Sequence, residues 1–321
     1  MIVTALTEMF GLRHPIVLAP MGGVAGGHLA ATVSNAGGLG LVGGGYGDAA
    51  WMRVELSRVK QETRAAWGVG LITWSIQRSV LDLALSYRPD AFMLSFGNPQ
   101  PHAQAIKAAG CKLICQVQNV EQARAARSAG ADLIVAEGTE AGGHGGVRAT
   151  LPLVPAVVDA VAPTPVLAAG GIADGRGLAA ALMLGAHGVL MGTRFYASAE
   201  ALGKDAAKRR IVAANAGDTV RTRVFDIVRG YPWPLANHGR ALRNRFVDTW
   251  QGHEDALSAA AHSERSAYQA AAGDGDFETA VVWAGEAVDL IGDVESAATL
   301  VARIGADAQA RLRFGAKQVV S

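Results

Sequence analysis

One pattern recurs along the first 195 residues: a short, almost wholly apolar run rich in Val, Ile and Leu, a glycine or polar residue at its end, then a longer stretch of helical period. Eight such runs stand at Ile16–Ala19, Leu39–Val42, Gly68–Leu71, Ala91–Ser95, Lys112–Gln116, Asp132–Ala136, Pro165–Ala169 and Gly188–Met191. Their starts lie 20 to 33 residues apart, room for one strand and one helix each. Apolar runs without polar alternation mark strands covered on both faces, as in a parallel sheet joined by right-handed crossovers. Between them, Ala103–Gly110, Glu121–Gly130 and Gly175–Ala186 set small and apolar residues at helical spacing and close with a glycine. Eight units predict an α/β protein, a (β/α)8 TIM barrel, with a doubly wound sheet as the alternative.

After Phe195 the pattern changes. Ala197 to about Ala280 has no β-like run but several polar, alanine-rich helical stretches and the turn-like Gly230–Gly239. This predicts a helical insertion after strand eight, followed by apolar helices at Val281–Ile291 and Val294–Phe314 that complete the barrel. The expected organisation is a barrel of residues 1–196 and 281–321 with a substrate-side subdomain, 197–280.

Composition narrows the function classes. Half of the 321 residues are hydrophobic, ample for a core, and Lys plus Arg (29) nearly cancels Asp plus Glu (28). No basic footprint for nucleic acid or an anionic membrane follows, and Lys208-Arg209-Arg210 reads as a solvated helix face. The N-terminus lacks a signal-peptide pattern and no apolar run reaches about 18 residues, so the expected location is cytoplasmic. Cys111 and Cys115 sit four apart in a strand-like run, about 13 Å, too far to bridge, and read as structural.

The forty glycines, with only 11 prolines and no G-X-Y period, concentrate where the apolar runs end. In a parallel barrel those ends build the ligand site. Gly170-Gly171-Ile172-Ala173-Asp174 after strand seven and Gly192-Thr193-Arg194-Phe195 after strand eight would offer backbone N–H groups to a phosphate near helix N-termini. Gly38-Leu39-Gly40-Leu41-Val42-Gly43 fits the dinucleotide fingerprint G-x-G-x-x-G in letters only, because a helix precedes it and a strand lies inside it. Walker, C-x-x-C, H-E-x-x-H and G-x-S-x-G signatures do not occur, and no metal site is expected. The chemical candidate is His144, on a glycine-rich loop after strand six (Glu137–Gly146). An imidazole there would project over the mouth and take a proton near neutrality, the glycines allowing close approach of backbone to a ligand. Trp74 and Phe96 offer flat walls or plugs at the barrel top; His14, His28, His102 and His187 read as packed or solvated; His238, near Tyr231 and Trp233, reads as part of a turn-packing aromatic cluster.

Ala19-Pro20-Met21, Ser34–Gly40, Glu140–His144, Ala169–Asp174 and Met191–Phe195, five motifs in order across about residues 8–196, together resemble the nitronate monooxygenase family, also called 2-nitropropane dioxygenase-like. Trp283–Ala287 is similar to the family's A-G-Q segment at the start of the last barrel helix. The resemblance implies a TIM barrel holding FMN without covalent attachment. It implies a phosphate on Gly170, Gly171, Gly192 and Thr193, the ring system along Met21 and Gly22, and Gln116, Glu137, Gly142 and Gly143 at the ribityl chain or ring edge. His144 aligns with the family's catalytic histidine. The implied partners are an alkyl nitronate and O2, with no nucleic acid and no membrane, the chain acting alone or as a homodimer. One departure stands out: Gly68-Val69-Gly70-Leu71 replaces the family's frequent G-V-N-L, removing one amide contact to the flavin. The same motifs occur in FMN-dependent enoyl-acyl-carrier-protein reductases, which would need NAD(P)H and a basic patch such as Lys204, Lys208, Arg209 and Arg210. A non-catalytic phosphate-ligand-binding barrel is the third reading.

Overall fold

A computed structural model describes residues 1–318. Eight parallel strands, β1 (Ile16–Leu18), β2 (Gly40–Gly45), β3 (Trp67–Ile72), β4 (Ala91–Ser95), β5 (Lys112–Val117), β6 (Leu133–Glu137), β8 (Val166–Ala169) and β9 (Val189–Met191), follow one another around a TIM barrel. The ring closes between β1 and β2, where Leu39 N donates to Ile16 O and Leu18 N to Leu39 O, both at 2.9 Å. The short strand β7 (Gly143–Gly145) lies outside it.

Side chains along each strand alternate between two apolar layers. Val17, Leu41, Met93, Ile114, Val135 and Leu167 fill the barrel interior, closed by Leu6 from the helix Ala5–Phe10. Leu18, Val42, Val69, Phe92, Leu113 and Ile134 face the surrounding helices. That double burial is why the strands read as unbroken apolar runs. The fingerprint-like glycines fall as expected, with the helix Gly27–Asn35 before β2 and the last two of the three, Gly40 and Gly43, within the strand. Cys111 and Cys115 are buried free thiols. The helix Ala297–Lys317 packs on the helices Gly175–Met183 and Gly27–Asn35 and completes the outer ring. Among the described residues no helix is long and apolar enough to cross a membrane.

The segment after β9 departs from its expected, purely helical character. It carries the helices Asp205–Ala213, Val224–Arg229, Arg245–Trp250 and Glu254–Asp274, but also β10 (Thr219–Thr222) and β11 (His238–Leu242). These form an antiparallel sheet in the order β10-β11-β7. Neither strand has an apolar run, because the sheet is held by pairing with a barrel loop rather than by two buried faces. Residues 281–291 are likewise not an apolar helix: Trp283 bridges Ala241, Gly285 packs against Glu140 O, and only a 3₁₀ turn forms at Glu286–Leu290. The Lys208–Arg210 stretch is only partly solvated. Lys208 is buried and donates to Ala199 O, while Arg210 donates to Phe277 O and pairs with Glu278.

Arg194, 2% exposed, ties the barrel to the C-terminal segment. Its guanidinium donates to Ala197 O at 2.7 Å, Asp293 O at 2.6 Å and Asp293 Oδ1 at 2.8 Å. Asp293 remains partly exposed, so the cost of breaking the pair sits at the low end for a buried ion pair. Arg194→Ala is expected to destabilise the protein by about 2–3 kcal/mol, seen as a lower midpoint in chemical denaturation; an unchanged midpoint would show that the tie is dispensable.

Candidate active site

The C-terminal ends of the strands surround a cleft of about 510 Å³. All eleven residues singled out from sequence line it: Met21 and Gly22 after β1; Gln116 of β5 and Glu137 of β6; Gly142, Gly143 and His144; Gly170 and Gly171 after β8; Gly192 and Thr193 after β9. The barrel's geometry brings them together, since each follows or ends a strand at the same rim or lies on the β6 loop.

One side of the cleft is a backbone cradle. Gly170 and Gly171 adopt φ of +97° and +72°, conformations that a side chain disfavours. Among the described residues no protein acceptor takes the N–H groups of Gly171, Gly192 or Thr193. Free donors lining a cavity are what an oxyanion needs. The N-terminus of the helix Gly175–Met183 contributes less than expected, because the Asp174 carboxylate already accepts from Arg176 N and Gly177 N. Thr193 Oγ1 accepts from Gly285 N at 3.0 Å, fixing that hydroxyl and drawing residues 283–287 over the cleft. At Gly70 a Cβ would stand 2.3 Å from Pro20 Cγ. The glycine of G-V-G-L is therefore matched to this chain's own Pro20, and an Asn there would displace it.

The loop carrying His144 is neither flexible nor open. Its residues 143–145 form β7, with His144 opposite Gly239 of β11. Two arginines hold its carbonyls: Arg221 donates to Gly145 O and Gly146 O, and Arg240 donates to Thr139 O. Most of its glycines make room for the chain rather than for a ligand; a Cβ at Gly142 would lie 2.7 Å from Ala284 C and Gly285 N, whereas at Gly143 nothing stands within 4 Å.

His144 is 8% exposed. Its Nε2 lies 2.8 Å from Oδ2 of Asp226, a buried residue of the helix Val224–Arg229. Its ring stacks on Trp233 at 3.5 Å between centroids and 4° between planes, with Trp283 at 5.0 Å. Trp233 Nε1 donates to Tyr46 Oη at 2.8 Å, and Tyr46 stacks on Tyr231 at 3.9 Å. Tyr46, Phe96, Tyr231, Trp233 and Trp283 thus make an aromatic wall facing the glycine cradle. Trp74 packs behind it and does not line the cleft, nor does His238, which pairs with Gly145. Among the described residues the only Lys or Arg side chain on the lining is Arg229, seated over the Tyr231 ring. Asp226, Arg221, Arg240 and Trp233 had no role in the sequence reading of the site. Trp233 alone had a signal, its closeness to His238 in an aromatic turn.

Glu137, on the cleft floor, is buried, and loss of solvation pushes its carboxyl up to about 8 despite N–H donation from Gln118 and Gln116 and the charge of Arg221. Gln116 Nε2 and Gln118 Nε2 both donate to Oε2, at 2.7 and 3.1 Å. The unfolded chain releases this proton near the ordinary 4.5, the folded protein only near 8. The stability so contributed is complete below the lower value and is lost as pH rises toward the upper one. Glu137→Gln keeps an acceptor for both amides and removes the titration. Its melting temperature is expected to vary less than the parent's between about pH 5 and about pH 8, and equal slopes in both proteins would exclude Glu137 as the group responsible.

The sequence profile of the nitronate monooxygenase family matches residues 3–307. The chain is 33% identical to the (3aS,4S,5R,7aS)-5-hydroxy-7a-methyl-1-oxo-octahydro-1H-indene-4-carboxyl-CoA dehydrogenase of Mycobacterium tuberculosis, over 97% of each chain. It is 32% identical to a probable nitronate monooxygenase of Staphylococcus aureus, over 88% of this chain and 90% of that one. Among solved structures it is similar to FabK from Thermotoga maritima, with a TM-score of 0.90, 32% identity and coverage of 99% and 100%. With a profile match spanning nearly its whole length, the chain belongs to the nitronate monooxygenase family and is a flavin-dependent oxidoreductase.

Proposed function

We propose that the chain binds FMN and oxidises alkyl nitronates with O2, releasing a carbonyl compound and nitrite. The observation that carries this reading is His144, an imidazole lining an aromatic-walled cleft with Nε2 already bound and Nδ1 without a partner among the described residues. Gly170, Gly171, Gly192 and Thr193 would hold the phosphate on their backbone N–H groups. Met21 and Gly22 would lie along the ring system, with Gln116, Glu137, Gly142 and Gly143 at the ribityl chain or ring edge. The free donors and side-chain-free cradle fit such a group. Bound there, FMN would supply the electron transfer between substrate and O2.

The protein's own part is to bind, exclude water and move a proton. Arg229 places a permanent positive charge on a lining that also holds the carboxylates of Asp48 and Glu140, both bound by backbone N–H groups, and it is the group that would meet an anionic nitronate. Trp233, Trp283 and Phe96 keep water from the carbon beside His144. When the substrate arrives as the neutral nitroalkane, Nδ1 of His144 takes the proton from the carbon next to the nitro group.

A second reading, reduction or oxidation of an acyl thioester, draws on the likeness to FabK and to the carboxyl-CoA dehydrogenase. The basic patch suggested for docking a carrier protein is largely spent internally: Lys204 donates to Gly273 O, Lys208 is buried, and Arg210 pairs with Glu278.

The purified protein is expected to be yellow, with a flavin spectrum and FMN released on denaturation. Mixing with a pre-formed nitronate under air is expected to produce nitrite. His144→Ala should lower kcat/KM for a neutral nitroalkane by about 100-fold or more, with a smaller effect on the pre-formed nitronate. Equal turnover of both by parent and variant removes the role given to His144. Bleaching of the flavin by NADH and reoxidation by an enoyl thioester, without nitronate turnover, selects the second reading.

A further inference from the structure

The His144–Asp226 contact joins two segments 82 residues apart, one from the barrel and one from the helix Val224–Arg229, and buries both partners. A carboxylate accepts and does not donate, so the shared proton sits on Nε2 and the lone pair is on Nδ1. The second carboxylate oxygen, Oδ1, is buried with no hydrogen-bond partner among the described residues. Asp226 is 3% exposed, and the Nε2 contact is the sole hydrogen bond its carboxylate makes among the described residues. A buried carboxylate with one neutral donor is poorly compensated. It becomes well compensated when the ring across from it turns cationic.

The permanent charges packed around this pair are cations bound elsewhere: Arg221 donates to Gly145 O and Gly146 O, Arg240 to Thr139 O, and Arg265 of the helix Glu254–Asp274 to Val228 O. On the same helix Arg229 sits over Tyr231 instead of pairing with Asp226, and Arg223 precedes the helix. Tyr46 from the β2 loop, Tyr268 from the helix Glu254–Asp274 and His238 of β11 are titratable groups that feel the Asp226 charge, while Glu137 lies beyond Gly145. The faces packed on His144 itself, Trp233, Trp283 and Phe96, are uncharged.

We propose that Asp226 is the positioning residue of this site: it fixes His144 in the tautomer with Nδ1 free and serves as the dedicated counter-charge for the imidazolium. In the step it serves, the C–H bond next to the nitro group breaks, the proton goes to Nδ1, and the electron pair stays on the substrate as the nitronate. No oxidant is consumed in that step. The catalytic part of this inference rests on the proposed nitronate chemistry; the charge coupling between Asp226 and His144 does not.

Two measurements on the flavin-loaded protein separate these parts. Side-chain ¹⁵N NMR titration, with the His144 signal identified by its loss in His144→Gln, reads the imidazole directly. Asp226→Asn is expected to lower the His144 midpoint by at least about one pH unit, and Asp226→Glu to recover part of the shift. In parallel, the acid limb of the pH profile of kcat/KM for a neutral nitroalkane should move to lower pH in Asp226→Asn. The plateau should fall by about 100-fold and more steeply than for the pre-formed nitronate. A strut without electrostatic effect would lower thermal stability or flavin content and leave both midpoints in place; that result overturns the proposal. A shifted NMR midpoint in a protein that turns over neither nitroalkane nor nitronate keeps the Asp226–His144 coupling and rejects the reaction.

Discussion

The mouth of the barrel is organised by the pairing of Gly143–Gly145 with His238–Arg240. Three residues of a βα loop become the edge of a small sheet whose other strands come from a segment inserted after β9. Without that pairing the loop has no regular partner, His144 has no fixed direction, and the aromatic turn has nothing to lie against. Glycines are a weak strand sequence, so the pairing depends on outside help. Arg221 and Arg240 supply it by donating to the loop's carbonyls, turning a stretch that would be mobile on its own into one wall of the cleft.

Much of the barrel was legible because a strand buried on both faces must be apolar throughout, and eight such runs at regular spacing leave few alternatives. The rim followed from the same rule. Residues such as Gln116, Glu137, Gly170 and Gly192 surround one cleft because each stands at a strand's C-terminal end. What stayed illegible depends on contacts between distant segments. Asp226 lies in an ordinary apolar hexamer, and nothing near it in sequence announces His144. Likewise β10 and β11 show no strand pattern, because β11 is made a strand by the distant Gly-His-Gly segment and β10 by β11 in turn. The apolar stretch 281–291 scans as helical, yet Gly285 is drawn between Glu140 and Thr193 and opens it out.

The glycines have two distinct uses. Around Gly170 and Gly192 they leave backbone donors bare toward a ligand. Around Gly142 and Gly70 the missing side chains make way for Ala284 and Pro20. Both uses look the same in the sequence, and only the second explains why the loop before His144 is rigid.

Asp226 and Arg229 share a helix of six residues, three positions apart and hence on neighbouring turns of one face. One contacts the imidazole and the other lines the cleft. A helix so short moves as a single piece, so any shift of it displaces both charges together. A new orientation for Arg229 therefore carries Asp226 with it, and the contact to the imidazole and the cation on the cleft lining are set by one rigid element rather than two.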